Sequence, residues 1–312
     1  MISMRYHIVS LAAIFLALAL GIVLGATKIN SPLLAGLQGD NTQLSTQRDE
    51  LAAHQTKLED RVASDAKFAS SIGPLAVRGT LPNAQVVVIT TDTADPADRD
   101  AVLSLLSHAG AVVTAQVQIT ADFTDPARAG QLRDLAIANQ PVGSQLPESS
   151  QAGTLAGGFL GTLLLTGADG KTFATPEEAT AALSALSAAG FISASGPVAP
   201  GRSVVIVDGP ARTSDSAVDR AQAVVDMAAA LKQTAAGVVL AGRTGSEGTT
   251  GSVGLTRADT AASALVSTVD DVDIDAGRIA AVLALVEQNG GGVGRYGLGA
   301  NATAPAPTLA VG

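Results

Sequence analysis

Residues 203–241 read SVVIVDGPARTSDSAVDRAQAVVDMAAALKQTAAGVVLA. Two short β-branched runs, Ser203–Val207 and Gly237–Ala241, bracket a stretch from about Asp215 to Lys232 with helical spacing. A strand that is apolar on both faces has to be covered on both. Strand–helix–strand alternation of this kind predicts a parallel crossover unit. The chain is therefore read as α/β, with a doubly wound, mostly parallel sheet.

Working outward, Gln85–Thr90 (QVVVIT) reads as another buried strand. Thr93 or Asp95 can cap a helix that begins near Pro96 and stops at Gly110. In Ala111–Ile119, Thr114, Gln116 and Gln118 alternate with apolar residues, which predicts a strand near an edge of the sheet. Further helices are expected over 127–138, Gly153–Leu165, Pro176–Ala189 and Ile279–Gln288, the last started by Asp275. Gly153–Leu165 is apolar but too short for a second membrane span. The α/β domain is placed at residues 85–299, with possible halves 85–140 and 151–299, and an Ala/Pro-rich tail at 300–312.

Ligands in such sheets gather at the carboxyl ends of the strands. Those ends carry Asp92, Asp208-Gly209-Pro210 and Gly242-Arg243, so Asp208, Gly242 and Arg243 form the candidate ligand loop. The glycine-rich Gly242–Gly248 either offers backbone N–H groups to an anion or is a flexible surface loop.

The other end of the chain has a different character. From Tyr6 to Thr27 there is no formal charge, and Ile8–Ala26 reads IVSLAAIFLALALGIVLGA. About 20 apolar residues in a helix cross a hydrocarbon core of about 30 Å. The run is longer than the apolar part of a signal peptide, and its small-residue cleavage signal is poor, so residues 1–27 are read as an uncleaved transmembrane anchor. Arg5 precedes it and Lys28 follows, which leans towards an extracytoplasmic carboxyl-terminal domain on a single-pass anchor. Gly21 and Gly25 form a GxxxG pair, which allows two such helices to approach closely.

Residues 28–69 continue as a helix in which Leu37, Leu44, Leu51 and Leu58 repeat at seven residues. Leu34 and Val62 share the seam, with Asn41, Arg48 and Gln55 at the companion positions. The pattern predicts a coiled-coil stalk and a homodimer; the other reading is an amphipathic helix packed on its own domain. Gly73-Pro74 and Leu81-Pro82 punctuate residues 70–84, read as a hinge.

Composition removes several kinds of chemistry. The net charge of −9 argues against nucleic acid as a partner. There is no Cys, so thiolate nucleophiles, disulfides and Cys-based metal sites are excluded. His occurs only at His7, His54 and His108; there is no GxSxG elbow and no Walker A pattern, so no catalytic residue, enzyme activity or cofactor is expected. Gly292–Gly297 matches GxGxxG by letter but follows a helix, and reads as a close-approach loop or a turn into a terminal strand. The densest charge is Asp270, Asp271, Asp273 and Asp275 in STVDDVDIDAGR. Either Asp270, Asp271 and Asp273 hold a hard cation, or the run is a solvated loop capping the last helix and neutralised by Arg278 or Arg257.

The opening MISMRYHIVSLAAIFLALALGIVLGA resembles that of the MctB family of actinobacterial envelope proteins. So do VVLAGRTGS (Val238–Ser246), STVDDVD (Ser267–Asp273), AGRIAAVLAL (Ala276–Leu285) and GRYGLG (Gly294–Gly299), in order along the chain. The resemblance implies copper transport or copper resistance, through a pore-forming channel in the outer membrane. A cell-separation branch of the family implies another role, a membrane-anchored scaffold that works with an envelope or septal membrane partner to control septal peptidoglycan hydrolysis. The residues fit a copper pore poorly. Copper(I) prefers Cys and Met, and the Met residues here are Met1, Met4 and Met227. Outer-membrane pores are closed barrels of alternating strands, whereas this chain shows one apolar helix and buried parallel-type strands, which favours an inner-membrane anchor.

Overall fold

The protein is described by a computed structural model over residues 4–308; for residues 27–37 and Ser195 only the backbone is described. It divides into two compact units, Met1–Asp65 and Ala66–Gly312.

The first unit is helical and belongs to α1, which spans Met4–Ala76. Met4–Ala26 is the one stretch among the described residues long and apolar enough to cross a membrane. Around Gly21 and Gly25 a Cβ would meet nothing within 4 Å, so the chain itself makes no demand for glycine there. Leu44, Leu51, Leu58 and Val62 are 63–69% exposed. The side chains of Leu34 and Leu37 lie outside the described residues.

The foot of α1 belongs to the second unit and runs on to Ala76, through the first part of the expected hinge. Pro74 lies in the last turn, where few helical bonds remain to be lost, so the helix ends after it and not before. Gly73 accepts from the Val77 amide at 3.1 Å, and the chain then turns through Gly79 at φ +68°.

The sheet has seven strands in the order β3-β2-β1-β4-β5-β6-β7. β1 (Gln85–Thr90), β2 (Val112–Ile119), β4 (Ser203–Val207), β5 (Gly237–Ala241), β6 (Ser267–Val269) and β7 (Arg295–Tyr296) are parallel, and β3 (Ile192–Ser195) runs antiparallel to β2 at the edge. One sheet thus draws on both the 85–140 and the 151–299 portions of the chain. Alternate strand residues point to opposite faces. Val87, Ile89, Val204, Ile206, Val238 and Leu240 pack under α3 (Ala129–Ala138), α4 (Ala152–Leu164) and α6 (Ala217–Lys232). Val86, Val88, Val205, Val207 and Val239 pack under α2 (Pro96–His108) and α9 (Asp275–Asn289). The fold is a doubly wound, mostly parallel sheet.

The apolar helix α4 is buried inside this domain. Its glycines let it lie directly on α6: a Cβ at Gly157 would sit 2.6 Å from the Met227 carbonyl oxygen. A core with few aromatic residues gains density from such close backbone contact. α5 (Pro176–Ala188) opens with a capping box between Thr175 and Glu178. Strands β3 and β6, together with α7 (Ser252–Ala258) and α8 (Thr260–Ser263), add to the elements expected from sequence. Gly292–Gly297 turns into and contains the last strand, β7, the second of the two readings its context suggested.

Candidate functional site

Parallel strands put their carboxyl ends along one edge, and the strand order reverses between β1 and β4. That switch point is where a doubly wound sheet opens a crevice. Here the chain fills it with its own side chains. Asp208, 5% exposed, follows β4 and accepts hydrogen bonds from Thr91 Oγ1 at 2.5 Å, Thr93 Oγ1 at 3.0 Å and the Gly209 amide at 2.8 Å. Its second oxygen accepts from Ser252 Oγ on α7. Gly209 lets the Thr93 carbonyl come so near that any Cβ at 209 would collide with it. Arg212 grips both oxygens of Asp92, at 3.1 and 2.5 Å, beside the crevice.

The other two residues of the candidate loop are committed in the same way. The Gly242 amide donates to Val269 at 2.8 Å, its carbonyl accepts from the Val272 amide at 3.0 Å, and a Cβ there would strike Ser246 Oγ. Arg243 donates to Asp95 at 3.0 Å and holds Nε 3.1 Å from the buried Asp98. Arg278 on α9 meets Asp98 from the far side at 2.8 Å and Asp275 at 2.9 Å. Arg243 and Arg278 thereby tie α2 to the β5 and β6 loops. Two cations around one carboxylate suit a buried group that would otherwise be costly to ionise.

The acidic run is drawn apart. Asp270 pairs with Arg257 at 2.5 Å, both side chains 2% exposed, and accepts from the Leu298 amide at 2.8 Å and the Gly299 amide at 3.1 Å. Arg257 also donates to Thr268, Asn301 and the Tyr296 carbonyl. Asp273 accepts from the Thr244 amide at 2.8 Å and its hydroxyl at 3.0 Å. Asp271, 2% exposed, has one oxygen without a partner, and burial, then Asp270 and Asp273, push its carboxyl up to about 7. Among the described residues no group of three or more His, Cys, Asp or Glu is arranged to hold a metal ion. Asp270 and Asp273, neighbours of Asp271 in sequence, turn their carboxylates to different partners. Both arginines named for the neutralised loop are present: Arg257 takes Asp270 and Arg278 takes Asp275.

Soft copper donors are scattered. Met227 is fully buried in the core, Met4 is exposed on α1, and His108 Nδ1 lies 2.7 Å from the Ser104 carbonyl. His7 and His54 are exposed on α1, and Met1 lies outside the described residues. A recess of about 250 Å³ between α4, α5 and the approach to β4 is lined by Leu163, Leu183, Val198 and threonines, with no titratable group. Thr91, Ser252 and Arg212 complete the edge; each is an ordinary residue in its local stretch, and only the tertiary fold brings it to its aspartate.

The family model that matches residues 1–307 is described as copper transport outer membrane protein, MctB. The chain is similar to the copper transporter MctB of Mycobacterium tuberculosis and to that of Mycobacterium bovis, each 38% identical over 306 residues that cover 96% of this chain and 97% of the relative. It is 34% identical over 315 residues to the copper transporter MctB of Mycobacterium leprae, covering 97% of this chain and 98% of the relative.

Proposed function

We propose that this chain, which belongs to the MctB family, takes part in copper transport at the cell envelope as an anchored, paired protein that is not itself the pore. The observation that carries the copper part is the match to relatives named copper transporters along nearly the whole chain. The form of the role rests on chemistry and geometry. Copper as cargo needs thioether, thiolate or imidazole donors close together, and the few donors here are dispersed over α1, α2 and the core. One apolar span with no polar stripe supplies no lining for a water-filled path.

In this reading residues 1–27 hold the chain in the membrane with the α/β domain on the extracytoplasmic side. Residues 28–69 pair two copies through Leu37, Leu44, Leu51 and Leu58, with Gly21 and Gly25 at the crossing of the membrane helices. The exposure of Leu44, Leu51 and Leu58 supports the pairing, because a repeating apolar seam left in water is costly. The same paired stalk favours a second reading, a scaffold that regulates cell separation or septal peptidoglycan hydrolysis through a membrane partner.

Deleting the gene and restoring the full chain separates the two. Copper transport predicts lowered copper tolerance that the full chain restores, with no copper flux when the purified chain alone is placed in vesicles. Unchanged tolerance with defective septation sinks the copper reading and leaves the scaffold. Flux by the chain alone sinks the claim that it is not the pore.

A further inference from the structure

The foot of α1 has two apolar faces, and its own domain covers one of them. Val77, just past the end of the helix, is fully buried, and Gly73 lies so close to the domain that a Cβ would sit 3.1 Å from Ile279 Cδ1. Phe68, Ile72 and Leu75 look outward, 67%, 39% and 54% exposed. Single exposed apolar residues are ordinary, but three large ones on adjacent turns form a patch that calls for a partner.

The spacing of the patch indicates what covers it. Phe68, Ile72 and Leu75 are separated by four and then three residues, the alternation of a coiled-coil seam. The stalk repeat of Leu44, Leu51 and Leu58 places its next core positions at 65 and 72, and the residues there are Asp65 and Ile72. Phe68 and Leu75 lie one helical turn to either side of Ile72, on the same face.

We infer that the outer face of the α1 foot, at Phe68, Ile72 and Leu75, is covered by the same face of a second copy of this chain. The seam of the paired stalk then continues past Asp65 and ends on the α/β domain. This rests on the paired-stalk reading above and deepens it.

The absence of cysteine makes the test direct. Single substitutions Leu51→Cys, Ile72→Cys and Lys67→Cys are made in the full membrane-embedded chain, which is then oxidised. A disulfide needs Cα atoms about 4.4–6.8 Å apart, which facing seam residues reach. The inference expects cross-linked dimer from Leu51→Cys and Ile72→Cys and none from Lys67→Cys. Adding Phe68→Glu should abolish the Ile72→Cys product. Cross-linking at 51 without 72 overturns the inference and leaves the stalk standing. Cross-linking at neither position overturns both. Equal yield at 67 and 72 marks random collision and also overturns it.

Discussion

The carboxyl edge of the sheet and the outer face of α1 are opposites in how far their groups are satisfied. At the edge, Asp208 has donors on both oxygens, Asp98 has two arginines and Asp270 has Arg257 with two amides. Along α1, Leu44, Leu51, Leu58 and then Phe68 stand in water. The fold places its ligand crevice where doubly wound sheets have one, and the chain closes it from within. What remains incomplete is the helix surface. The difference teaches that the buried charges of the domain are satisfied by the chain itself, whereas the apolar positions along α1 are not, which is why the proposed pairing falls on that helix.

The strongest way to break the comparison is to open the satisfied edge. Arg257→Ala leaves Asp270 buried without its cation, and such losses cost about 3–5 kcal/mol. The melting temperature of the domain should fall by many degrees, while cross-linking through Leu51→Cys is retained. A domain as stable as the parent would show that the edge is not the source of its rigidity.

A smaller effect is expected at Asp271, which has a buried oxygen without a partner. Asp271 holds its proton up to about pH 7 in the folded chain, against an unfolded value near 3.8. The folded state therefore binds more protons between those values. Its contribution to stability is full below about pH 4 and is lost as pH rises to about 7, after which it is flat. Asp271→Asn should remove that decline, with a gain on the order of 2 kcal/mol at pH 8 relative to pH 4 once solvent screening is allowed for. Thermal melts across pH 4–8 check this; parallel curves for variant and parent would refute it.

The least effect on the domain is expected from the membrane helix. Gly21 and Gly25 lie outside the α/β domain, and a Cβ at either would meet nothing within 4 Å, so with Gly21→Leu and Gly25→Leu the melting of the domain should move by less than about 0.5 kcal/mol. The same change should lower cross-linking within the membrane segment. Unchanged cross-linking there would confine pairing to the leucine seam.

Much of the edge was legible in the sequence as position and little of it as partnership. SVVIV and GVVLA fix β4 and β5 because a strand buried on both faces admits few polar residues. The loops holding Asp208, Gly242 and Arg243 follow from where those strands stop. Ser252 is 44 residues from Asp208 and Thr91 is 117 away, and no local pattern announces either. β6 is three residues long and its signal is lost beside the aspartates that follow it, while β7, two residues long, showed only as a turn leading into a strand. The acidic run illustrates the limit: four carboxylates in six residues read as a cluster, yet Asp270, Asp273 and Asp275 go to separate donors. The seven-residue repeat along α1 is the reverse case, a local signal whose predicted pairing needs a second chain to complete it.

Gly209 carries a consequence out of proportion to its size. Its α-hydrogen occupies the space between the end of β4 and the Thr93 carbonyl. A methyl group there would have to push the Thr93 backbone aside, and with it the Thr93 hydroxyl that Asp208 accepts from. One hydrogen atom thus sets how closely the ends of β1 and β4 can be sewn together.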